Sequence, residues 1–232
     1  MSRFLWCEDS KSGYHFWRAL FQELYPDVNV DTKHGNTELW KAVDKINADS
    51  TDENLYYIVM DTAVDNPEVL RETRRLNASI TGKDNIHVIK VHSFEFALLS
   101  FKLLEQWVFA DKDELKEKRQ NLLKERELFL RQNAPEADAF GLQAFKDAFE
   151  EYDGKNSEQI AAKLLFEITR NTGFETNKSH LGDCFINTCC EWLERKSDDI
   201  CGLDSHRISA GEKARLLVDY SVLKEAFERV GL

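Results

Sequence analysis

Leu55 to Met60 (LYYIVM), followed at once by Asp61, is the stretch whose reading decides the fold. It is apolar, rich in β-branched and aromatic residues, and carries no charge. A strand covered on both faces needs such a composition, because side chains pointing either way meet protein and not water. Covering both faces takes helices on both sides, and the neighbouring sequence supplies them. Upstream, Arg3 to Cys7 (RFLWC) reads as a strand that runs into acid, and Tyr14, Trp17, Leu20, Phe21 and Leu24 then recur at helical spacing. Asp27 to Asp31 (DVNVD) alternates as a strand does, and after the turn signal Gly35-Asn36 a second helix is marked by Leu39, Trp40, Val43 and Ile46. Downstream, a helix opens at about Pro67, which suits a first turn, and Ile86 to Val91 (IHVIKV) is a fourth strand. A helix rich in Leu and Phe follows from Phe96 to Phe109.

Strands alternating with helices predict an α/β fold with a doubly wound, mainly parallel sheet, whose ligand edge lies beyond the C-terminal ends of the strands. From Asp111 the character changes. The run to Arg131 mixes both charge signs, as a solvated helix does, and the remainder reads as all-helical, with Ile160, Leu164, Leu165 and Ile168 on one face and Leu216, Leu217, Tyr220, Leu223 and Phe227 on another. The expected organisation is a sheet domain over residues 1–110 and a helical domain over 111–232 that lids the site or binds a partner.

Composition narrows the function classes. The sequence has 42% hydrophobic and 31% charged residues with 3 prolines, which places it among globular proteins and not disordered ones. With no signal-peptide pattern and no apolar run of about 20 residues, it reads as a soluble cytoplasmic chain with no membrane attachment. Its formal net charge of −11 repels phosphate backbones, so any contact with nucleic acid must be local, metal-assisted or helped by a partner. An odd number of cysteines, 5, argues for reduced thiols. Cys184, Cys189, Cys190 and Cys201, with His180 nearby, lack the paired knuckles of a zinc site and read as buried thiols. Phosphate-loop, dinucleotide-binding and HExxH motifs do not occur.

The informative coincidence is positional. One strand ends at Glu8, another at Asp61, and a third at Ser93-Phe94-Glu95, all at the ligand edge. Gathered carboxylates repel one another unless a cation neutralises them, and hard oxygen donors suit Mg²⁺ or Mn²⁺. Asp65 stands in reserve as a further ligand, with Asp9 and Glu68 behind it. Lys11 and Lys178 are candidate phosphate contacts, Arg18 reads as a surface charge, and His92 borders Ser93 and Glu95, where an imidazole could relay a proton.

These residues resemble a known family. An apolar strand then Glu (FLWCED), an amphipathic helix, and an apolar strand then Asp (YYIVMDTAVD) look like the toprim domain of topoisomerases, primases and many nucleases. The Ser93-x-Glu95 element leading into FALLSF is similar to the version in overcoming-lysogenisation-defect nucleases and in DUF4435 proteins, among them the toprim effectors of the PARIS anti-phage system. The resemblance covers residues 1–110. It implies that Glu8, Asp61 and Glu95 are catalytic metal ligands with Ser93 beside them, and that the protein is a divalent-metal-dependent nuclease acting on DNA or RNA, tRNA included. It further implies an antiviral defence effector held by an ABC-type ATPase partner; a homodimer is also expected. The sequence departs from the family twice: Asp9 replaces the usual glycine after the glutamate, and Ala63 stands where the second acid of Asp-x-Asp belongs. The second departure leaves a second metal without its usual ligand and opens the alternative of a degenerate toprim-like or Rossmann-like binding module that docks on a partner.

Overall fold

Four strands, β1 (Arg3–Cys7), β2 (Val28–Thr32), β3 (Leu55–Asp61) and β4 (Ile86–Val91), form one sheet in the order β2-β1-β3-β4, every neighbouring pair parallel. The computed structural model describes residues 1–48, 53–63, 65–109, 114–132, 139–170, 172 and 208–232. Lys178, His180, Cys184, Cys189, Cys190 and Cys201 lie outside the described residues.

Strand alternation divides the apolar side chains between two cores. On one face, Leu5 and Cys7 of β1 and Tyr57 and Val59 of β3 pack with Phe16, Trp17, Leu20 and Phe21 of α1 (Ser12–Leu24). On the other, Tyr56, Ile58 and Met60 of β3 meet Leu39, Val43 and Ile46 of α2 (Asn36–Ala48) and Leu76 of α3 (Pro67–Ile80). This is why LYYIVM has no polar position: both faces of β3 are covered. Each fully buried Leu, Ile or Phe in these layers is worth about 1.5–3 kcal/mol of transfer free energy. Trp40 joins the two helices on the second face by donating its indole N–H to Ser79 Oγ at 3.0 Å. Pro67 opens α3, as the sequence implies, and Asn66 caps it by accepting from Glu68 N–H at 3.1 Å.

The first core continues into the second half of the chain. The helices α4 (Phe94–Ser100), α5 (Leu104–Val108), α6 (Glu114–Lys118), α7 (Gln120–Gln132), α8 (Ala139–Ala148), α9 (Ser157–Thr169), α10 (Ala210–Asp219) and α11 (Leu223–Glu228) follow. Phe101, Phe129, Phe145, Ile160, Leu164, Leu165, Ile168, Leu217 and Phe227 belong to the same buried cluster as Leu5 and Trp17. Residues on both sides of position 110 therefore share one hydrophobic core.

Three expectations change. The helix expected over Phe96–Phe109 begins at Phe94 and breaks into α4 and α5. Arg126 explains how the break is tolerated: its guanidinium donates to Leu99 O at 2.7 Å and Phe101 O at 2.9 Å, satisfying carbonyls that a continuous helix would have paired. The mixed-charge run is not merely solvated, since Arg119 and Arg126 are buried, the former bonding to the carbonyls of Ile168 and Arg170. Tyr220, expected on an apolar face, is exposed because α10 ends at Asp219.

Replacing Arg126 with Met keeps much of the apolar stem and removes the donors. Two carbonyls of a buried turn are left unpaired, and we expect Arg126→Met to destabilise the fold by about 2–3 kcal/mol. Urea unfolding reads this as a lower midpoint at unchanged slope.

Candidate functional site

The strand order reverses direction at β1: the chain passes from β1 out to β2, then returns across β1 to build β3 and β4 on its other side. A crevice opens at such a switch point, beyond the strands' C-terminal ends. Glu8 follows the last residue of β1, and Asp61 is the last residue of β3. The two are joined directly, Asp61 N–H donating to Glu8 Oε1 at 3.3 Å, and the Asn36 side chain at the start of α2 gives Glu8 a further hydrogen bond. Ser93 is fully buried and caps α4, its Oγ accepting from Phe96 N–H at 3.1 Å. This cap sets Glu95 on the first turn of α4, where a negative charge is favoured by the helix dipole.

Asp9 turns toward the same group. Its side chain rests against Gly13 in the first turn of α1, where a Cβ would stand 2.0 Å from Asp9 Oδ2. Glycine at this position is thus a matter of space. Thr32 Oγ1 donates to the Asp9 carbonyl and fixes the loop from the side of β2.

Glu158 is the acid that sequence reasoning missed. It sits in the first turn of α9, and Asn66 Nδ2 donates to its Oε2 at 3.2 Å. The neighbouring Ser157 bonds to Asp65 twice, through its N–H to Oδ2 at 2.8 Å and through its hydroxyl to Oδ1. Lys146 Nζ stands 3.9 Å from Asp65 Oδ2. Asp65, the reserve ligand, therefore has both oxygens engaged in tying α9 to the loop before α3. His92 Nε2 lies 2.7 Å from Ser157 Oγ. The hydroxyl proton goes to Asp65, so His92 must donate from Nε2, and its buried Nδ1 has no partner. Burial lowers the His92 pKa to about 4, which keeps the ring neutral. Among the remaining candidates Lys11 is exposed at the N-cap of α1, Arg18 is exposed on α1, and Glu68 is exposed on α3.

The electrostatics bind the acids into one group. Burial first, then the charge of Asp9, raises Glu8 to about 7 despite the opposing hydrogen bond from Asp61. Glu95 is also raised to about 7, by burial and then by Asp9, with Glu158 adding to the effect. Asp61 is held well above the ordinary carboxylate range by burial, and the charges acting on it are those of Glu8, Asp9, Glu95 and Glu158, all negative. Burial likewise raises Asp9 and Glu158. All five residues are partly buried. Their oxygen donors and uncompensated charge fit a hard divalent cation. Among the described residues, however, no three His, Cys, Asp or Glu side chains already form a group set to hold one. Ala63, two residues after Asp61, is buried; Asp9 and Glu158 bring negative charge to the region.

The chain matches no protein-family model, no curated protein and no solved structure. Among the described residues no helix is long and apolar enough to cross a membrane.

A pH dependence follows from these shifts. Glu8 and Glu95 titrate at about 7 when folded and near 4.5 when unfolded, so between those values the native state holds more protons than the unfolded state. Stability of the metal-free protein is then highest below about pH 4.5 with respect to these groups and falls as pH rises to about 7, by roughly 1–3 kcal/mol for each. Urea unfolding in a chelator across that range should show the decline. Glu8→Gln and Glu95→Gln should each flatten it.

Proposed function

We propose that the protein is a divalent-metal-dependent nuclease that hydrolyses phosphodiesters of DNA or RNA at the switch point of its sheet. The observation that supports this reading is the convergence of Glu8, Asp61 and Glu95 from the ends of β1 and β3 and the start of α4, each with its proton affinity raised. Buried like charges are costly, and a divalent cation is the group that would relieve them. Glu8, Asp61 and Glu95 would hold Mg²⁺ or Mn²⁺, which when bound polarises a phosphate and lowers the pKa of water. The Asp61 N–H orients Glu8, and the Ser93 cap orients Glu95. Asp9 or Glu158 would accept the proton of the attacking water, whose oxygen bonds to phosphorus as the ester P–O bond breaks, and the leaving oxygen would take its proton from solvent water. Ser93 and Asp65 serve by positioning, Ser93 through the helix cap and Asp65 through Ser157.

Lys11, exposed at the mouth of α1, is the phosphate contact in this reading, and Lys178 is proposed for the same role. The resemblance extends the proposal to an antiviral effector acting on nucleic acid such as tRNA, restrained by an ABC-type ATPase, dimeric, and cytoplasmic. The net charge of −11 suits such restraint, because nucleic acid meets an acidic protein slowly.

A second reading has its own support. Ala63 is buried in place of an acid, and the carboxylates are not already arranged around one point. Both features favour a degenerate toprim-like or Rossmann-like module that docks on a partner. Cleavage of plasmid, single-stranded DNA and tRNA with Mg²⁺ or Mn²⁺ separates the two. The nuclease reading expects activity in the wild type and a loss of about a hundredfold or more in Glu8→Gln, Asp61→Asn and Glu95→Gln. Glu158→Gln should be reduced less, by about tenfold. A wild type inactive with every metal, with and without an ATPase partner, would sink the enzyme.

A further inference from the structure

Along α2 and the end of β2, a cleft of about 560 Å³ is lined by Trp6, Lys33, His34, Lys41 and Lys45, with Glu38 the one carboxylate among its lining residues. Its size falls in the range of ligand clefts. In a chain of net charge −11, three lysines gather at this one cleft, Lys33 just after β2 and Lys41 and Lys45 on α2. Two of them, Lys41 and Lys45, stand four residues apart and so share one side of α2, Lys45 in its last turn. Lys41 is paired with Glu38 at 2.6 Å, and Lys45 has no ion pair among the described residues. Lys33 is held by Asp31 and lies 4.0 Å from the centroid of the Trp6 ring, whose other contact is Tyr56. The cleft is coupled to the acidic group through the backbone. Lys33 N–H donates to Cys7 O at 2.8 Å and the Thr32 hydroxyl to Asp9 O, so both residues flanking Glu8 are bonded to its wall.

We propose that this cleft binds the phosphates of a nucleic-acid strand alongside the phosphodiester that lies at the acidic group. The proposal rests on the nuclease reading for the identity of that strand. Lys41 and Lys45 are offset by about 6 Å along the helix axis, which lets them meet successive phosphates, and Ala42 and Ile46 add an apolar floor. A strand that lies at Glu8 and follows α2 would meet both lysines, whereas a free mononucleotide would use only one at a time.

The test is binding of a labelled single-stranded oligonucleotide in a chelator, where no cleavage occurs, followed by fluorescence anisotropy over a range of salt. Wild type is compared with Lys41→Glu, Lys45→Glu, the double variant and Glu8→Gln, their folding checked by circular dichroism. We expect the double variant to bind at least about tenfold more weakly, with the slope of log affinity against log salt reduced by about one for each lysine. Glu8→Gln should bind as well as wild type or better, since it removes a repelling charge. Equal affinity and slope in wild type and double variant overturn the proposal, as does lysine-dependent binding of inorganic phosphate or a mononucleotide with none of the oligonucleotide. If no metal supports cleavage while oligonucleotide binding still depends on the lysines, the nuclease reading fails and the cleft stands. Metal-dependent cleavage with lysine-independent binding reverses that outcome.

Discussion

Parallel pairing of β1 with β3 is the constraint on which the rest depends. Adjacent strands lie about 4.8 Å apart, and the register sets Cys7 against Val59, so the chain leaving β1 and the end of β3 emerge side by side. Acid at both ends is then forced together regardless of what the side chains would prefer. Everything around Glu8 and Asp61 reads as accommodation of that proximity: a peptide N–H turned to one carboxylate, an asparagine amide beside it, and a proton affinity raised toward neutrality.

Burial deepens the repulsion. The two cores close over the faces of the sheet and leave its C-terminal edge as the place where polar groups reach water. An acid there is partly screened from solvent yet open on one side. Desolvation is the largest contribution for Glu8, Asp61 and Glu95 alike, ahead of any single neighbour. Glu8 and Glu95 therefore exchange protons near neutrality, and any cation bound there would compete with those protons for the same oxygens.

Much of the sheet was legible in the sequence because its signals are local. LYYIVM, IHVIKV and RFLWC each carry their burial pattern within a few residues, and Pro67 and Gly35-Asn36 mark boundaries by backbone chemistry. Glu8 and Asp61 could be placed because strand ends follow from strand positions, whereas Glu95, expected at a strand end, stands on the first turn of α4 beyond the end of β4 at Val91. Glu158 could not: it reaches the site through a contact with Asn66, 92 residues earlier, and nothing in Asn156-Ser157-Glu158-Gln159 beyond a helix cap marks it. Arg119 and Arg126 were hidden for a related reason. In a mixed-charge helix every arginine looks solvated, and only the arrangement of distant carbonyls distinguishes those that are buried.

The bond between Ser157 and Asp65 has a consequence for how the protein comes to exist. It joins residues 92 positions apart, and the acid next to Ser157 arrives with it. During synthesis the sheet emerges from the ribosome well before α9, so the first half of the chain passes through a period in which its edge lacks Glu158. Completion of the acidic group is thus timed to the making of the second half, and an unfinished polypeptide carries an unfinished centre.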